Sequence, residues 1–383
     1  MKILIIARGF PTPLEPQDGV FEMHQAVALR DMGHEVVIMT IDTRVKKAWR
    51  KPGIKKHNVE GVIVYQFFLF PTSIVRKICY QLSSWIEQWL ALRLYNYIIK
   101  REGSFDIIHA HYLPCIHQGI AIKYQHKVNL VATEHWSELN RKPISPYVQY
   151  LGQRCYLNVD KLITVCKPLQ NRVLELFAKD SCVIHNMVAK EFYLSSTEEI
   201  KKNHPFTFVY VGNLIYGKGI DILLESFKIS RLYKKNIQIS IVGEGVYYSE
   251  IERKIKDLSI ESSVILHGAA SKNEVVQHLK NSNVFVLPSR SENFPVSILE
   301  ALSIGLPIIS TDVGGVKECV NDTNGILVPV NDVHALSEAL IFMYENIDKY
   351  DSRRIREDCI SRFSENVIAS RILQIYNSLL KQE

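Results

Sequence analysis

The chain has 383 residues, 47% of them hydrophobic and 22% charged, a composition typical of a soluble globular protein. This length exceeds what one hydrophobic core usually organises, so two domains are expected. No stretch approaches the roughly 18 uncharged apolar residues that span a bilayer. The seven cysteines are scattered without a C-x-x-C pair, which argues against a zinc site or a disulfide framework and favours a reducing cytoplasm.

The net charge of +6 is unevenly distributed along the chain. Residues 1–185 carry 24 Lys and Arg against 15 Asp and Glu, a net charge of +9, whereas the remainder carries 22 against 25, a net charge of −3. A basic first half favours an anionic partner, which could be a phosphorylated lipid, a membrane surface or a nucleic acid. No nucleic-acid-binding motif accompanies the charge, so nucleic acid is the least favoured of the three.

Strands alternate with helices in the first half, the pattern of a parallel sheet. A first strand is predicted at 2–7, followed by a long loop with Gly9 and Gly19 and by a helix at 21–32. The further predicted strands lie at 35–41, 62–68, 106–110, 129–133, 161–165 and 182–185. Two stretches resemble a binding surface: 43–59 is basic around Trp49, and 67–101 mixes basic and aromatic residues as a membrane interface does. A helix that buries its aromatic face in the core is the alternative for these stretches.

The second half repeats the alternation of strands and helices. Strands are predicted at 206–211, 237–242, 264–266, 284–287, 306–311 and 326–328, and helices at 221–230, 248–258, 273–280 and 334–345. The tail from 354 to 381 reads as helical and amphipathic. Residues 186–205 are polar and aperiodic, and we interpret them as an interdomain linker. The pattern predicts two Rossmann-like domains facing each other across a cleft.

One glycine-containing loop is suited to a diphosphate. Gly212, Lys218 and Gly219 follow a predicted strand and precede a helix, so backbone N–H groups and one ammonium could contact an anion. A solvated turn with a chance lysine is the alternative. No G-x-G-x-x-G sequence follows a strand, since Gly243 and Gly245 are followed by Tyr248 at the third position, which disfavours hydride transfer.

Two pairs of polar residues are candidates for chemistry. Glu292 and Glu300 lie eight positions apart across a loop-to-helix junction. They could act as acid and base, accept hydrogen bonds from sugar hydroxyls, or serve as one loop charge and one charge at a helix N-terminus. His109 and His111 share a strand face and would permit a metal pair, but no carboxylate at ligand spacing completes it. Glu134 and His135 follow the next strand and are expected in the neighbouring loop.

The stretch PSRSENFPVSILEALSIGLPIISTDVGGVKE at 288–318 resembles the signature of the retaining GT-B glycosyltransferases of family 4 (group 1), which is two glutamates separated by seven residues. DIIHAHYLP, TEHW, VIHNMV and VGNLIYGKG extend the resemblance, in the family's order, along nearly the whole chain. The resemblance implies a GT-B fold of class α/β. It would comprise an acceptor-binding domain at 1–185, a nucleotide-sugar-binding domain at 186–365, and a helix at 366–383 that crosses back to the first domain.

The resemblance also implies roles for individual residues. Glu292 would contact the hydroxyls of the donor sugar, Glu300 would bind the ribose hydroxyls, and Lys218 would neutralise the diphosphate leaving group. Asn213 stands where many members have arginine, and Arg290 or another residue is expected to compensate. The implied catalytic residues are Glu292, His111 and Lys218; the implied donor-binding residues are Gly212, Asn213, Lys218, Gly268, Arg290, Asn293, Phe294, Pro295 and Glu300; Gly19 and His135 would form an acceptor or diphosphate loop.

The activity implied is transfer, with retention and without a metal or other cofactor, of a hexosyl or N-acetylhexosaminyl group from a UDP- or GDP-linked sugar. The acceptor would be a cell-envelope glycan or a polyprenyl-linked glycan, as in capsule, lipopolysaccharide or exopolysaccharide synthesis. We expect a cytoplasmic enzyme, peripheral at the inner face of the cytoplasmic membrane, with an anionic membrane surface as a further partner. A nucleotide-sugar epimerase, a phosphorylase on the same scaffold and a non-catalytic nucleotide-sugar-binding subunit remain alternatives.

Overall fold

A computed structural model describes residues 1–12, 15, 17–44, 51–193 and 205–381. The chain divides into two compact units, one of Met1–His185 with Glu365–Glu383 and one of Asn186–Ser364. Each unit is built on a single sheet flanked by helices. This architecture confirms the predicted α/β class. No helix within the described part of the chain is long and apolar enough to cross a bilayer.

The first unit contains an eight-stranded sheet of order β3-β4-β2-β1-β5-β6-β7-β8. Its strands are β1 (Lys2–Ala7), β2 (Glu35–Ile41), β3 (Gly53–Val59), β4 (Val62–Phe68), β5 (Ile107–His111), β6 (Asn129–Glu134), β7 (Lys161–Thr164) and β8 (Cys182–Val183). β3 pairs antiparallel with β4, and the other pairings are parallel. The central β1 is buried on both faces, which explains its unbroken apolar sequence.

Helices cover this sheet and complete its core. They are α1 (Val20–Asp31), α2 (Thr72–Ile78), α3 (Tyr80–Glu102), α4 (Leu113–His126), α5 (Pro146–Cys155), α6 (Lys167–Phe177) and, from the end of the chain, α13 (Glu365–Leu380). α13 packs on α1, and its Tyr376 side chain is fully buried in this unit. The last helix of the chain therefore belongs to the first unit, as the GT-B resemblance implied.

The second unit contains a six-stranded sheet of order β11-β10-β9-β12-β13-β14. Its strands are β9 (Phe206–Val211), β10 (Ile237–Val242), β11 (Val264–Gly268), β12 (Val284–Leu287), β13 (Ile308–Thr311) and β14 (Gly325–Val328), all paired in parallel. Its helices are α7 (Ile220–Ser230), α8 (Tyr248–Asp257), α9 (Lys272–Lys280), α10 (Val296–Ile304), α11 (Val333–Glu345) and α12 (Ser352–Phe363).

Each sheet has one position where the strand order reverses. In the first unit β1 lies between β2 and β5, and in the second unit β9 lies between β10 and β12. Connections on the two sides of such a point run to opposite faces of the sheet and leave a crevice between them. Open α/β sheets bind ligands in this crevice, at the carboxyl ends of the strands. The loops after β1 and β5, and those after β9 and β12, are therefore the ligand-binding positions of the topology.

Three local features differ from the sequence-based expectations. The basic stretch 43–59 contains the edge strand β3, which was not predicted because its charged residues are exposed and form no apolar face. Four residues of this stretch, Lys46, Lys47, Trp49 and Arg50, lie outside the described residues. The tail is two helices, because Ser364 has extended backbone between α12 and α13. Residues 186–193 of the expected linker belong to the second unit, where Phe192 is buried; 194–204 lie outside the described residues.

Candidate active site

An ion pair lies at the point of strand reversal in the second unit. Lys218, in the loop after β9, donates to Glu292 Oε1, in the loop after β12, over 2.5 Å. The Ser289 hydroxyl donates to the same oxygen over 2.7 Å. Only 10% of the Glu292 side chain and 23% of the Lys218 side chain are exposed. Two of the three residues expected to be catalytic, which are 74 positions apart in sequence, thus meet at the ligand-binding position of the sheet.

Close backbone packing holds these loops together. Gly219 adopts a left-handed conformation (φ 68°), and a Cβ at this position would lie 2.0 Å from the Pro288 carbonyl oxygen. On the other side, a Cβ at Gly314 would lie 2.1 Å from the Glu292 carbonyl oxygen. The Thr311 hydroxyl of β13 donates to the Ser289 carbonyl over 2.5 Å and fixes the start of the loop. Glycine is therefore required where the Lys218 and Glu292 loops touch their neighbours.

Gly219→Ala is expected to destabilise the second unit by about 2–4 kcal/mol, since alanine in a left-handed conformation costs roughly 1–2 kcal/mol before any clash with Pro288. Urea denaturation followed by circular dichroism measures this change. Gly217→Ala is the matched control, because a Cβ at Gly217 would meet nothing within 4 Å. Equal stabilities of the two variants would contradict the role assigned to Gly219.

Glu300 lies in α10, one turn after the helix begins at Val296. No group in the described part of the chain donates a hydrogen bond to its carboxylate. Although part of the side chain reaches solvent, burial raises the pKa of Glu300 to about 7, and Lys272 lowers it only partly. A carboxylate that lacks protein donors in a largely enclosed place is suited to accept hydrogen bonds from ligand hydroxyls.

The guanidinium of Arg290 is held by Asp221 at the start of α7. Arg290 Nη1 and Nη2 donate to the two oxygens of the Asp221 carboxylate over 2.9 and 2.7 Å, and the guanidinium lies 3.9 Å from the Tyr216 ring centre. Partial burial raises the pKa of Asp221, but Arg290 outweighs this and keeps it below its usual value. Asn213, at the position where arginine was expected, is exposed, and its carbonyl accepts from the Tyr210 hydroxyl. A contact between Arg290 and a diphosphate would compete with its bidentate ion pair.

The other predicted donor-binding residues lie in the loops after β9 and β12, except Gly268, which lies at the end of β11. The Asn293 carbonyl accepts from the Gly315 N–H over 2.7 Å, and the Phe294 carbonyl accepts from the Asn186 amide over 2.8 Å. Pro295 immediately precedes α10, Gly212 directly follows β9, and Gly268 ends β11. The hydrogen bonds of the Asn293 and Phe294 carbonyls therefore stabilise the conformation of the Glu292 loop.

In the first unit, His111 and His135 meet at the carboxyl ends of β5 and β6. His111 Nδ1 lies 3.1 Å from His135 Nε2, and the Phe21 ring of α1 stacks on His135 at 5.7 Å between ring centres. Gly19 immediately precedes α1, where a Cβ would lie 2.2 Å from the Gly9 carbonyl oxygen. The structure thus brings His111 and His135 into direct contact and places the Gly19 loop at the adjoining helix terminus.

His111 is buried in surroundings that favour the neutral imidazole. Burial, aided by neighbouring His109, His135 and Arg8, holds the pKa of His111 well below its usual value. Its Nε2 atom has no hydrogen-bond partner among the described residues. The next residue, Tyr112, has a φ of 65°, an uncommon conformation for a bulky side chain that is typical of functional sites. The unused nitrogen is enclosed by protein, so a ligand hydroxyl would reach it only after a neighbouring side chain moves.

His109 has a structural role that the sequence did not indicate. Its Nε2 lies 2.7 Å from the Thr133 hydroxyl, and its Nδ1 lies 2.5 Å from the hydroxyl of Tyr376 and 2.9 Å from the Gln25 amide. Burial lowers the pKa of His109 to about 3. Both ring nitrogens are thus occupied by protein groups, and His109 ties β5 to α13. In the described part of the chain, no three His, Cys, Asp or Glu residues form a candidate metal site; metal independence stays a prediction.

Sequence reasoning missed Arg8, and it placed Glu134 in the loop after β6 without giving it a role. Arg8, directly after β1, stacks on the Tyr112 ring at 3.5 Å, and its Nε lies 3.8 Å from the fully buried Glu22 carboxylate. Glu134 Oε1 accepts from the N–H groups of His135 and Trp136 over 2.9 and 2.8 Å, so this carboxylate shapes the loop that carries His135. The position of Arg8 at the end of the central strand was the signal that could have found it.

Comparisons with known proteins agree on one family. The model of "Glycosyl transferases group 1" matches residues 195–358, and that of "Glycosyltransferase Family 4" matches residues 20–192. The chain is 27% identical over 361 residues to the "Putative teichuronic acid biosynthesis glycosyltransferase TuaC" of Bacillus subtilis, covering 89% of this chain and 88% of that protein.

Two solved structures show the same fold. Sucrose-phosphate synthase from Thermosynechococcus elongatus matches with a TM-score of 0.79 at 18% identity and covers 100% of both chains. Alr3699/HepE from Anabaena, in complex with UDP-glucose, matches with a TM-score of 0.71 at 18% identity and covers 99% of this chain and 100% of that chain. The two likenesses concern the fold and support the predicted GT-B class.

Proposed function

Since the chain belongs to the glycosyltransferases of group 1 and family 4, we propose that it transfers a hexosyl or N-acetylhexosaminyl group, with retention, from a UDP-linked sugar to a glycan or polyprenyl-linked acceptor of the cell envelope. GDP is the alternative nucleotide. The solved relative that holds UDP-glucose supports UDP, and the teichuronic acid assignment of TuaC supports an envelope acceptor. The reaction is proposed to need no metal.

The observation that carries the proposal is the Lys218–Glu292 pair at the point of strand reversal. Breaking the anomeric C–O bond leaves negative charge on the departing diphosphate. The Lys218 ammonium has three N–H donors, so it can stay bonded to Glu292 and also donate to this diphosphate. A cation that is already held in place stabilises the charge that develops in the transition state. Glu300, which accepts no hydrogen bond from the described protein groups, is the proposed ligand of the ribose hydroxyls.

The same pair argues for retention without a protein nucleophile. Glu292 Oε1 is already held by the Lys218 ammonium and the Ser289 hydroxyl. A carboxylate fixed in this way is better suited to accept from a sugar hydroxyl than to attack the anomeric carbon. The acceptor oxygen would then approach from the face that the leaving group vacates. His111, kept neutral by burial, would hydrogen-bond to the sugar.

A panel of nucleotide sugars tests the donor. A UDP-linked sugar is expected to raise the melting temperature more than its GDP counterpart, because a ligand that binds only the native state stabilises it by mass action. With the best donor, NMR of the product formed on a soluble acceptor analogue should show the donor's own anomeric configuration, and EDTA should leave the rate unchanged. An inverted product, or a rate that EDTA abolishes and a divalent cation restores, would contradict the proposed mechanism.

A further inference from the structure

The segment 69–89 exposes large apolar side chains although it belongs to a folded unit. Trp85 and Ile78 are 64% and 86% exposed, and the others are 37–50% exposed. We define the α2–α3 apolar face as Leu69, Phe70, Ile74, Ile78, Leu82, Trp85 and Trp89. Ile74 and Ile78 are four residues apart on α2, and Leu82, Trp85 and Trp89 follow helical spacing on α3, so each helix presents a coherent stripe to solvent.

The first two turns of α3 bury polar side chains, whereas the rest of this helix buries apolar ones such as Leu90 and Leu94. Ser83, Ser84 and Glu87 of α3 are buried, between the exposed Leu82, Trp85 and Trp89. The Glu87 carboxylate accepts from the Thr72 hydroxyl over 2.9 Å and from the Ser83 hydroxyl over 3.0 Å. A surface helix in water normally buries its apolar side chains and exposes its polar ones. The buried network ties α2 to α3 and fixes the tryptophans outward, which indicates a partner that accepts apolar groups.

The charges around the face select the kind of partner. Residues 69–101 contain five basic residues and one acidic residue, Glu87, which is buried. Lys77 is exposed on α2, and the Arg93 guanidinium lies 5.3 Å from the Trp89 ring centre on the exposed side of α3. A two-fold contact between copies of this chain would bring these cations together and be disfavoured by repulsion. Tryptophan beside Lys and Arg is instead the composition of helices that lie in the interface of an anionic bilayer.

We propose that the α2–α3 apolar face docks on an anionic lipid bilayer, with the tryptophans among the headgroups and Lys77 and Arg93 on the lipid phosphates. Docking uses side chains that are already exposed and needs no rearrangement of the sheet. It does not depend on which donor or acceptor the enzyme uses. The catalytic residues assigned above lie outside this face.

Co-flotation of the full chain with phosphatidylcholine vesicles, with and without phosphatidylglycerol, tests the proposal. Binding is expected only with the anionic lipid and should weaken with salt. Lys77→Gln should reduce binding about fivefold, since each basic residue near an anionic surface contributes roughly that factor. Leu82→Ser should reduce it roughly tenfold through lost apolar burial. Both positions are exposed, so both variants should keep the wild-type circular dichroism spectrum.

Matched controls separate docking from a general loss of apolar or basic surface. Leu174 on α6 is 48% exposed, against 49% for Leu82, and Leu174→Ser should bind like the wild type. Lys256→Gln on the exposed face of α8 should also bind like the wild type.

Equal binding by Leu82→Ser and Leu174→Ser would overturn the proposal, as would equal binding to neutral and anionic vesicles. Sedimentation would support self-association instead if the wild type forms a dimer that Leu82→Ser abolishes and if the wild type does not bind vesicles. That result would also overturn the proposal. Transfer to a soluble acceptor should be unchanged in Leu82→Ser, so failure of docking is distinguishable from failure of the proposed activity.

Discussion

Lys218→Ala is expected to lower kcat by about a thousandfold, in the range found when one preorganised donor to a developing oxyanion is removed. The structure places two cations at the strand reversal of the second unit, Lys218 and Arg290. Arg290 is engaged by Asp221 in a bidentate ion pair, and Asn213 supplies no further charge from the Lys218 loop. The departing diphosphate would therefore lose its principal positive partner. Steady-state transfer with the best nucleotide-sugar donor measures the effect, and the KM for the donor should rise by a smaller factor.

A loss of folding could imitate this result, because the substitution leaves the Glu292 carboxylate with the Ser289 hydroxyl but without its ammonium. The double variant Lys218→Ala/Glu292→Gln removes both charges and should recover stability toward that of the wild type while remaining inactive. Lys256→Ala, on the exposed face of α8, is the control and should retain full activity. Turnover of Lys218→Ala within a few-fold of the wild type would remove Lys218 from the mechanism and favour Arg290 as the leaving-group cation.

Much of the fold could be predicted because each central strand is a short buried run with clear ends. Strands at 35–41, 62–68, 206–211, 237–242 and 284–287 have the predicted bounds. β3 was missed because it is an edge strand with charged, exposed residues, so its sequence has neither an apolar run nor an apolar face. The break between α12 and α13 was missed for a different reason. Ser364 is compatible with a helix, and its extended backbone is set by the packing of two helices into different units.

The site was predictable where it depends on local sequence. A loop after a strand that enters a helix can be read from spacing, and this reading found the Lys218 and Glu292 loops. The partners of these residues could not be found in that way. The Arg290–Asp221 pair spans 69 positions, and the contact between His109 and Tyr376 spans 267. Such pairs depend on which helix covers which strand, and residues 67–101 likewise gave no indication of which side of α3 is buried.

Donor binding is expected to depend on pH through Glu300. Its pKa is raised to about 7 by burial, so the carboxyl is mostly protonated below that pH and ionised above it. The ionised form can accept a hydrogen bond from each ribose hydroxyl, and hydrogen bonds to a charged group contribute roughly 1.5–3 kcal/mol each. The affinity for a nucleotide sugar should therefore rise as the pH rises through about 7 and then level off. Calorimetric titration across this range measures it.

Glu300→Gln should weaken donor binding about a hundredfold above that pH and remove the Glu300 contribution to its pH dependence. The same change should act on stability with the opposite sign. Because the folded-state pKa of Glu300 lies above its ordinary value of 4.5, the native state binds more protons between 4.5 and about 7, and ionisation costs stability as the pH rises through this window. Relative to the wild type, Glu300→Gln should therefore gain stability as the pH rises, while it loses affinity for the donor.

The control for this experiment is Glu252→Gln, an exposed carboxylate on α8 that should change neither quantity. Glu134, whose pKa is also raised to about 7, contributes the same stability trend in both proteins, so the difference between variant and wild type isolates Glu300. Loss of stability together with affinity would mean that the carboxylate supports the fold of α10. Unchanged affinity with the expected gain in stability would show that Glu300 is a buried charge without a ligand. Only the combination of higher stability and weaker donor binding fits a carboxylate that the fold leaves without donors because a ribose supplies them.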